Sequence, residues 1–184
     1  MRPLALPILP ALAATLLLGA KAGGAEDTPR VETYEVYGST FNELLASLAA
    51  NGPLVERTGQ RHFGVTEIGF RPSWTFKPLA NGCQIVQAKV GIELTITLPR
   101  WGDRATADPD LRRRWDELRS DIVAHENAHA EIALDYLERM RAALNRPTRA
   151  SNCDTLHATL TGRARDLVER HRNAQRAFDG LPPQ

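Results

Sequence analysis

Apolar and polar positions change period several times along the chain, and each change marks an element. Arg2 precedes an apolar run from Leu4 to Leu18, which gives way to Ala20-Lys21-Ala22 and Gly23-Gly24-Ala25. A basic start, an apolar centre and small-x-small ends predict a secretory signal peptide over residues 1–25. The run is short for a bilayer span, and Pro7 and Pro10 interrupt it, so no stable membrane insertion is expected once the signal is removed. No Cys follows the run, which argues against a lipid anchor. Val31 to Tyr37 alternates as a strand and Gly38 ends it. Thr40-x-x-Glu43 then reads as a capping box before Phe41, Leu44, Leu45 and Leu48, predicting a helix to about Ala50 that Asn51-Gly52-Pro53 breaks.

From Arg61 to Pro78 the pattern is β-like, with Gly64, Gly69 and Pro72 read as bends and Asn81-Gly82 as a turn. Val90, Ile92, Leu94, Ile96 and Leu98 then alternate with polar or small residues, and Pro99 is expected to end that strand. Alternation with one apolar face suggests an antiparallel sheet. After Pro109 the period lengthens. Leu111, Trp115, Leu118, Ile122, His125, His129, Ile132, Tyr136, Met140 and Leu144 form one stripe of a long helix that stops at Asn145-Arg146-Pro147. A final helix is expected from about Asp154 to Phe178, with Leu156, Leu160, Ala164, Leu167, His171, Ala174 and Phe178 inward. The expected fold class is α+β: one domain over residues 26–184, an antiparallel sheet packed on the long helix, zincin-like in arrangement.

The long helix carries His125-Glu126-Asn127-Ala128-His129, an H-E-x-x-H. Positions i and i+4 share a helix face, so both imidazoles can reach one zinc ion, and Glu126 flanks that face as a general base. The competing reading is two hydrogen-bonded histidines on a helix. A hydrolytic zinc needs a third protein ligand and an open position for water. At 100° per residue Glu131, Asp135 and Glu138 point away from the pair, and Ile132 stands where a chain-turning Gly would be needed to bring Asp135 round. His171, on the inward stripe of the last helix, is the expected third ligand, with Asp166 and Glu169 next. A core histidine bonded to backbone is the alternative for His171. Asp121, one turn before His125, and Asp166 are candidate partners for the ring N–H groups, and Tyr136 for an oxyanion; each is also readable as an ordinary solvated or core residue.

The chain has 23 Lys and Arg against 22 Asp and Glu. Loss of residues 1–25 removes Arg2 and Lys21 and leaves 21 basic residues, a net charge of −1. Near-neutrality gives no argument for nucleic acid or an anionic membrane as partner. In an exported chain the two Cys, Cys83 and Cys153, suggest a disulfide closing 70 residues. Their wide separation makes them weaker candidates as zinc ligands.

The order strand, short helix, β-rich stretch ending in Leu98-Pro99-Arg100-Trp101, then Trp115, His125-Glu126-x-x-His129 and a late Cys resembles a bacterial family, the domain of unknown function 922. The resemblance spans about residues 31–178. Asp166, His171 and Gln175 match that family's C-terminal pattern, while Arg165, Glu169, Arg172 and Arg176 stand where it has Tyr, Thr, Gly and Gly. The family is described as predicted secreted zinc-dependent proteases. The resemblance therefore implies a secreted or periplasmic enzyme of the cell envelope that binds zinc and acts on peptide or protein. The residues alone leave open a non-catalytic envelope scaffold with a structural metal or none, and an amidase acting on cell-wall peptide.

Overall fold

The computed structural model describes residues 28–56 and 59–183; the signal peptide expected over residues 1–25 lies outside them. The elements follow as β1 (Arg30–Val36), α1 (Phe41–Asn51), β2 (Leu54–Val55), β3 (Gln60–Arg61), β4 (Val65–Leu79), β5 (Gly82–Trp101), α2 (Pro109–Leu144), β6 (Arg149–Ala150) and α3 (Cys153–Phe178), with a 3-10 turn at Arg104–Thr106 before α2. The fold is α+β, with a mixed sheet and three α-helices among the described residues.

β5 is the spine of the sheet. β4 pairs with it antiparallel from Val65↔Thr97 to Leu79↔Gly82, and short β6 pairs antiparallel at Cys83 and Gln84. On its other side β1 pairs parallel, from Arg30↔Thr95 to Val36↔Trp101. The expected wholly antiparallel sheet is therefore corrected to a mixed one. Alternation along a strand reports which face is buried, not the direction of its neighbours. The parallel pairing needs a long crossover, and α1 together with β2 to β4 supplies it.

The prolines are placed by edges. Among the described residues β4 has only β5 as neighbour, so Pro72 and Pro78 cost no second ladder, and Gly69 and Pro72 lie within the strand instead of bending it. β5 continues past Pro99, its expected end, to Trp101. Beyond Thr97 it has no β4 partner, and the Pro99 carbonyl instead accepts from Arg119 Nε of α2 at 3.2 Å. The missing proline N–H therefore interrupts no bond to β1. At the hairpin, Gly82 holds φ at +126°, where a Cβ would lie 2.3 Å from the Ala150 carbonyl oxygen; only glycine meets both demands.

α1 begins with the expected capping box: Thr40 Oγ1 accepts from Glu43 N, and Glu43 Oε2 accepts from Thr40 N. Asp108 caps α2, with Pro109 in its first turn. The inner face of β5, from Ala88 through Leu98, packs with Ile122, Ala133, Leu137, Met140 and Leu144 of α2 and Leu156 and Leu160 of α3. A second cluster joins Val36, Leu44, Leu48, Trp101 and Trp115, so α1 pins the end of β1 to the start of α2. Arg141 Nε and Nη2 both donate to the Val90 carbonyl, and Asn145 Oδ1 accepts from Ala88 N. Cys83 and Cys153 form the expected disulfide, Cα atoms 5.0 Å apart, tying the start of β5 to the start of α3.

One detail of α2 departs from its apolar periodicity. The expected stripe ran through both histidines; the buried line instead passes through Ile122, Glu126, Ala130, Ala133 and Leu137. His125 is exposed and His129 half-buried. Ile122 and Met140 lie on both lines. At about 100° per residue the histidines and Tyr136 fall on one flank of them and the buried residues on the other, so the sheet covers one flank of the apolar stripe. The small Ala130 and Ala133, not the imidazoles, lie against the sheet, and the glutamate of H-E-x-x-H takes the inward position.

Candidate metal centre

α2 and α3 run antiparallel, and His125, His129 and Tyr136 of one meet Asp179, Gln175 and His171 of the other. His125 Nε2 and His129 Nε2 lie 3.1 Å apart. Asp179 Oδ1 is 3.5 Å from the first and 3.0 Å from the second. Zinc bonds of 2.0–2.2 Å at tetrahedral angles place ligand atoms about 3.3 Å from each other. The three atoms fit that requirement, and they supply the two imidazole nitrogens and one carboxylate oxygen that zinc accepts. Among the described residues they form a candidate group for holding a metal ion.

Asp179 is the residue that sequence reasoning missed. Helix periodicity points to His171 as the third donor, and Asp179 stands there instead. α3 ends at Phe178 with Asp179 as its C-cap. A carboxylate there faces the negative end of the helix dipole and is ordinarily disfavoured; that anomaly was the available signal. The same turn lays the Phe178 ring beside both imidazoles, with centroids 5.0 and 4.9 Å away.

His171 stands one step back from the group. It is buried against Phe70 and Tyr136, edge to face at 5.0 and 5.5 Å, and its Nε2 lies 2.8 Å from Gln175 Nε2. Burial, reinforced by the Arg172 charge, lowers its pKa from 6.5 to about 4. Gln175 completes the bridge: its Oε1 is 2.5 Å from His129 Nδ1, and its Nε2 donates to the His129 carbonyl at 2.9 Å.

Glu126 is buried at 5 % exposure. The Thr66 hydroxyl, at the start of β4, lies 2.7 Å from Glu126 Oε2 and 3.0 Å from the Glu126 carbonyl. Gly64 leaves the room this side chain needs, since a Cβ there would fall 2.8 Å from both Glu126 Cγ and Oε1. Two clefts adjoin the group. One, of about 440 Å³, is lined by Phe63, Gly64, Asp121, His125 and Glu126 among others; the other, of about 550 Å³, by Thr66, Ile68, His171, Gln175, Arg176 and Asp179 among others.

The remaining expected residues fall outside the donor group. Asp166 is exposed and pairs with Arg170 at 3.1 Å on the solvent face of α3. Tyr136 packs on His171, and the Arg139 guanidinium sits 4.8 Å over its ring. Asp121 is exposed at the rim of the first cleft.

Fold and site together define an α+β protein with a candidate histidine–aspartate cation site beside a buried glutamate. A family model described as "Bacterial protein of unknown function (DUF922)" matches residues 31–181, and the chain belongs to that family. No curated protein and no solved structure matches it.

Proposed function

We propose that this is a zincin-like, zinc-dependent peptidase of the bacterial cell envelope. The observation that carries the reading is the convergence of His125 Nε2, His129 Nε2 and Asp179 Oδ1 at spacings of 3.0 to 3.5 Å. A zinc ion held there supplies a Lewis acid and an activated water at neutral pH. His125, His129 and Asp179 would hold it, a donor set of the size that hydrolytic zinc sites use. Glu126 shares a cleft with His125, so its carboxylate can take a proton from a water in that cleft and pass it to the leaving amine. Thr66 Oγ1 steadies that carboxylate. A scaffold role would not require a carboxylate buried beside the donors, because burying an acid without chemical use is costly.

Among the described residues β4 presents an unpaired edge starting beside Glu126, and an extended peptide can add to such an edge through its main chain. This edge supports a peptide or protein as substrate, and peptide bonds of the cell wall share the same chemistry. The disulfide suits an oxidising compartment, and no helix among the described residues is long and apolar enough to cross a membrane. The disulfide and the signal-like N-terminus support a periplasmic or secreted location.

The test uses the purified mature protein. One zinc per chain is expected, with hydrolysis of an unfolded protein substrate that Glu126→Gln abolishes while zinc stays bound. Substoichiometric zinc, or a Glu126→Gln variant as active as wild type, would sink the reading.

A further inference from the structure

Gln175 makes three polar contacts, and their donor and acceptor roles are determined by chemistry. Its Nε2 lies 2.9 Å from the His129 carbonyl oxygen. A carbonyl only accepts, so the end of the side chain facing it must be the NH2 group. This orients the whole amide and turns Oε1 toward His129 Nδ1, 2.5 Å away. Oε1 also only accepts, so His129 must carry its hydrogen on Nδ1. The neutral ring then has its lone pair on Nε2, the atom that faces His125 Nε2 and Asp179 Oδ1. The second amide hydrogen of Gln175 points to His171 Nε2 at 2.8 Å, which must accept it. His171 is in turn wedged between Phe70 and Tyr136.

We propose that Gln175 is a positioning residue that sets the tautomer and rotation of His129 so that its Nε2 lone pair is presented to a divalent cation, and that His171 is the buried acceptor that locks Gln175 in that orientation. The role rests on the zinc reading above, and it gives His171 a place in the site without making it a ligand. It also accounts for the donor group itself. With His129 protonated at Nδ1, two lone-pair-bearing atoms, His129 Nε2 and Asp179 Oδ1, stand 3.0 Å apart with no hydrogen from that ring between them. Such an arrangement is repulsive until a positive charge enters it.

The tautomer can be read without metal. Nitrogen-15 imidazole NMR of the chelator-treated protein at pH 8 should show His129 in the Nδ1–H form, although free histidine in water favours Nε2–H. Gln175→Leu should return His129 to the Nε2–H form and weaken zinc binding by about 10- to 100-fold, the usual effect of losing such a partner. Gln175→Glu keeps an acceptor for Nδ1–H and should restore the tautomer. Circular dichroism of each variant reports folding, and the wild-type spectrum needs no variant at all. An Nε2–H form in wild type beside stoichiometric zinc would overturn the positioning role alone. An Nδ1–H form with no zinc binding would overturn the peptidase reading and the presentation to a cation, leaving only the tautomer set by Gln175. Unchanged zinc affinity in folded Gln175→Leu would also overturn the role.

Discussion

Single residues decide what the site can do, and Gly64 shows how. It has no catalytic group, yet a methyl there collides with Glu126 Cγ and Oε1 and with Ile122 Cγ2. Gly64→Ala is expected to displace the Glu126 carboxylate, lowering kcat by at least tenfold while zinc content stays at one per chain; metal analysis alongside turnover checks it. Asp179→Asn should act oppositely, weakening zinc binding by at least tenfold with Glu126 undisturbed, measured by competition with a chromogenic chelator. His171 makes a prediction about pH. Its pKa is about 4 when folded and 6.5 as the ordinary value, so the unfolded chain binds a proton that the folded ring refuses. Its contribution to stability is full above pH 6.5 and is lost as pH falls toward 4, by about 2 kcal/mol after allowing for solvent around the ring. Arg172, His129 and Tyr136 are the charged or titratable groups around it. Urea midpoints from pH 8 to 4 in the presence of chelator should fall more steeply for wild type than for His171→Gln. At this scale the sequence was legible where spacing along one helix carries meaning, as in His125, Glu126 and His129. It was not legible where the partner comes from another element, as with Thr66, Gly64 and Asp179.

Elements set the frame in which those residues meet. α2 holds the two imidazoles, α3 brings Asp179 across them, and the disulfide anchors the far end of α3 to β5. The bridge closes a 70-residue loop that contains all of α2. Replacing both Cys83 and Cys153 by Ser should cost up to about 4 kcal/mol through the freedom returned to the unfolded chain, read as a lower denaturation midpoint. The antiparallel α2–α3 packing is also held by Leu137, Met140, Leu156 and Leu160, so the double variant should still bind zinc when folded. The boundaries of α1, α2 and α3 were legible because caps and period are local: the Thr40–Glu43 capping box for α1, and the lengthened apolar period for α2 and α3; the Asp108 and Asn152 caps of α2 and α3 emerged in the structure. The direction of β1 and the continuation of β5 through Pro99 were not, since both depend on neighbours that local pattern does not specify.

The whole molecule places the site where sheet edge, long helix and C-terminal turn come together, and a ligand bound there stabilises the fold as a unit. Zinc at about 100 times its dissociation constant should add about 2.7 kcal/mol, raising Tm by about 5–10 °C for a chain of this size. Calorimetry with zinc and again with chelator checks this; an identical Tm would mean that no folded-state site exists. By itself the sequence determined the α+β class, the extent of the long helix, the paired imidazoles with their glutamate, and the two cysteines that join. Periodicity, capping chemistry and residue type express these directly. Only the tertiary structure brings the Asp179 carboxylate at the end of α3 to the two imidazoles, sets Gln175 between His129 and His171, and makes Glu126 the buried member of its motif. Each of these depends on the angle and register at which two distant segments pack, which arise from the sum of many side-chain contacts and from no local pattern.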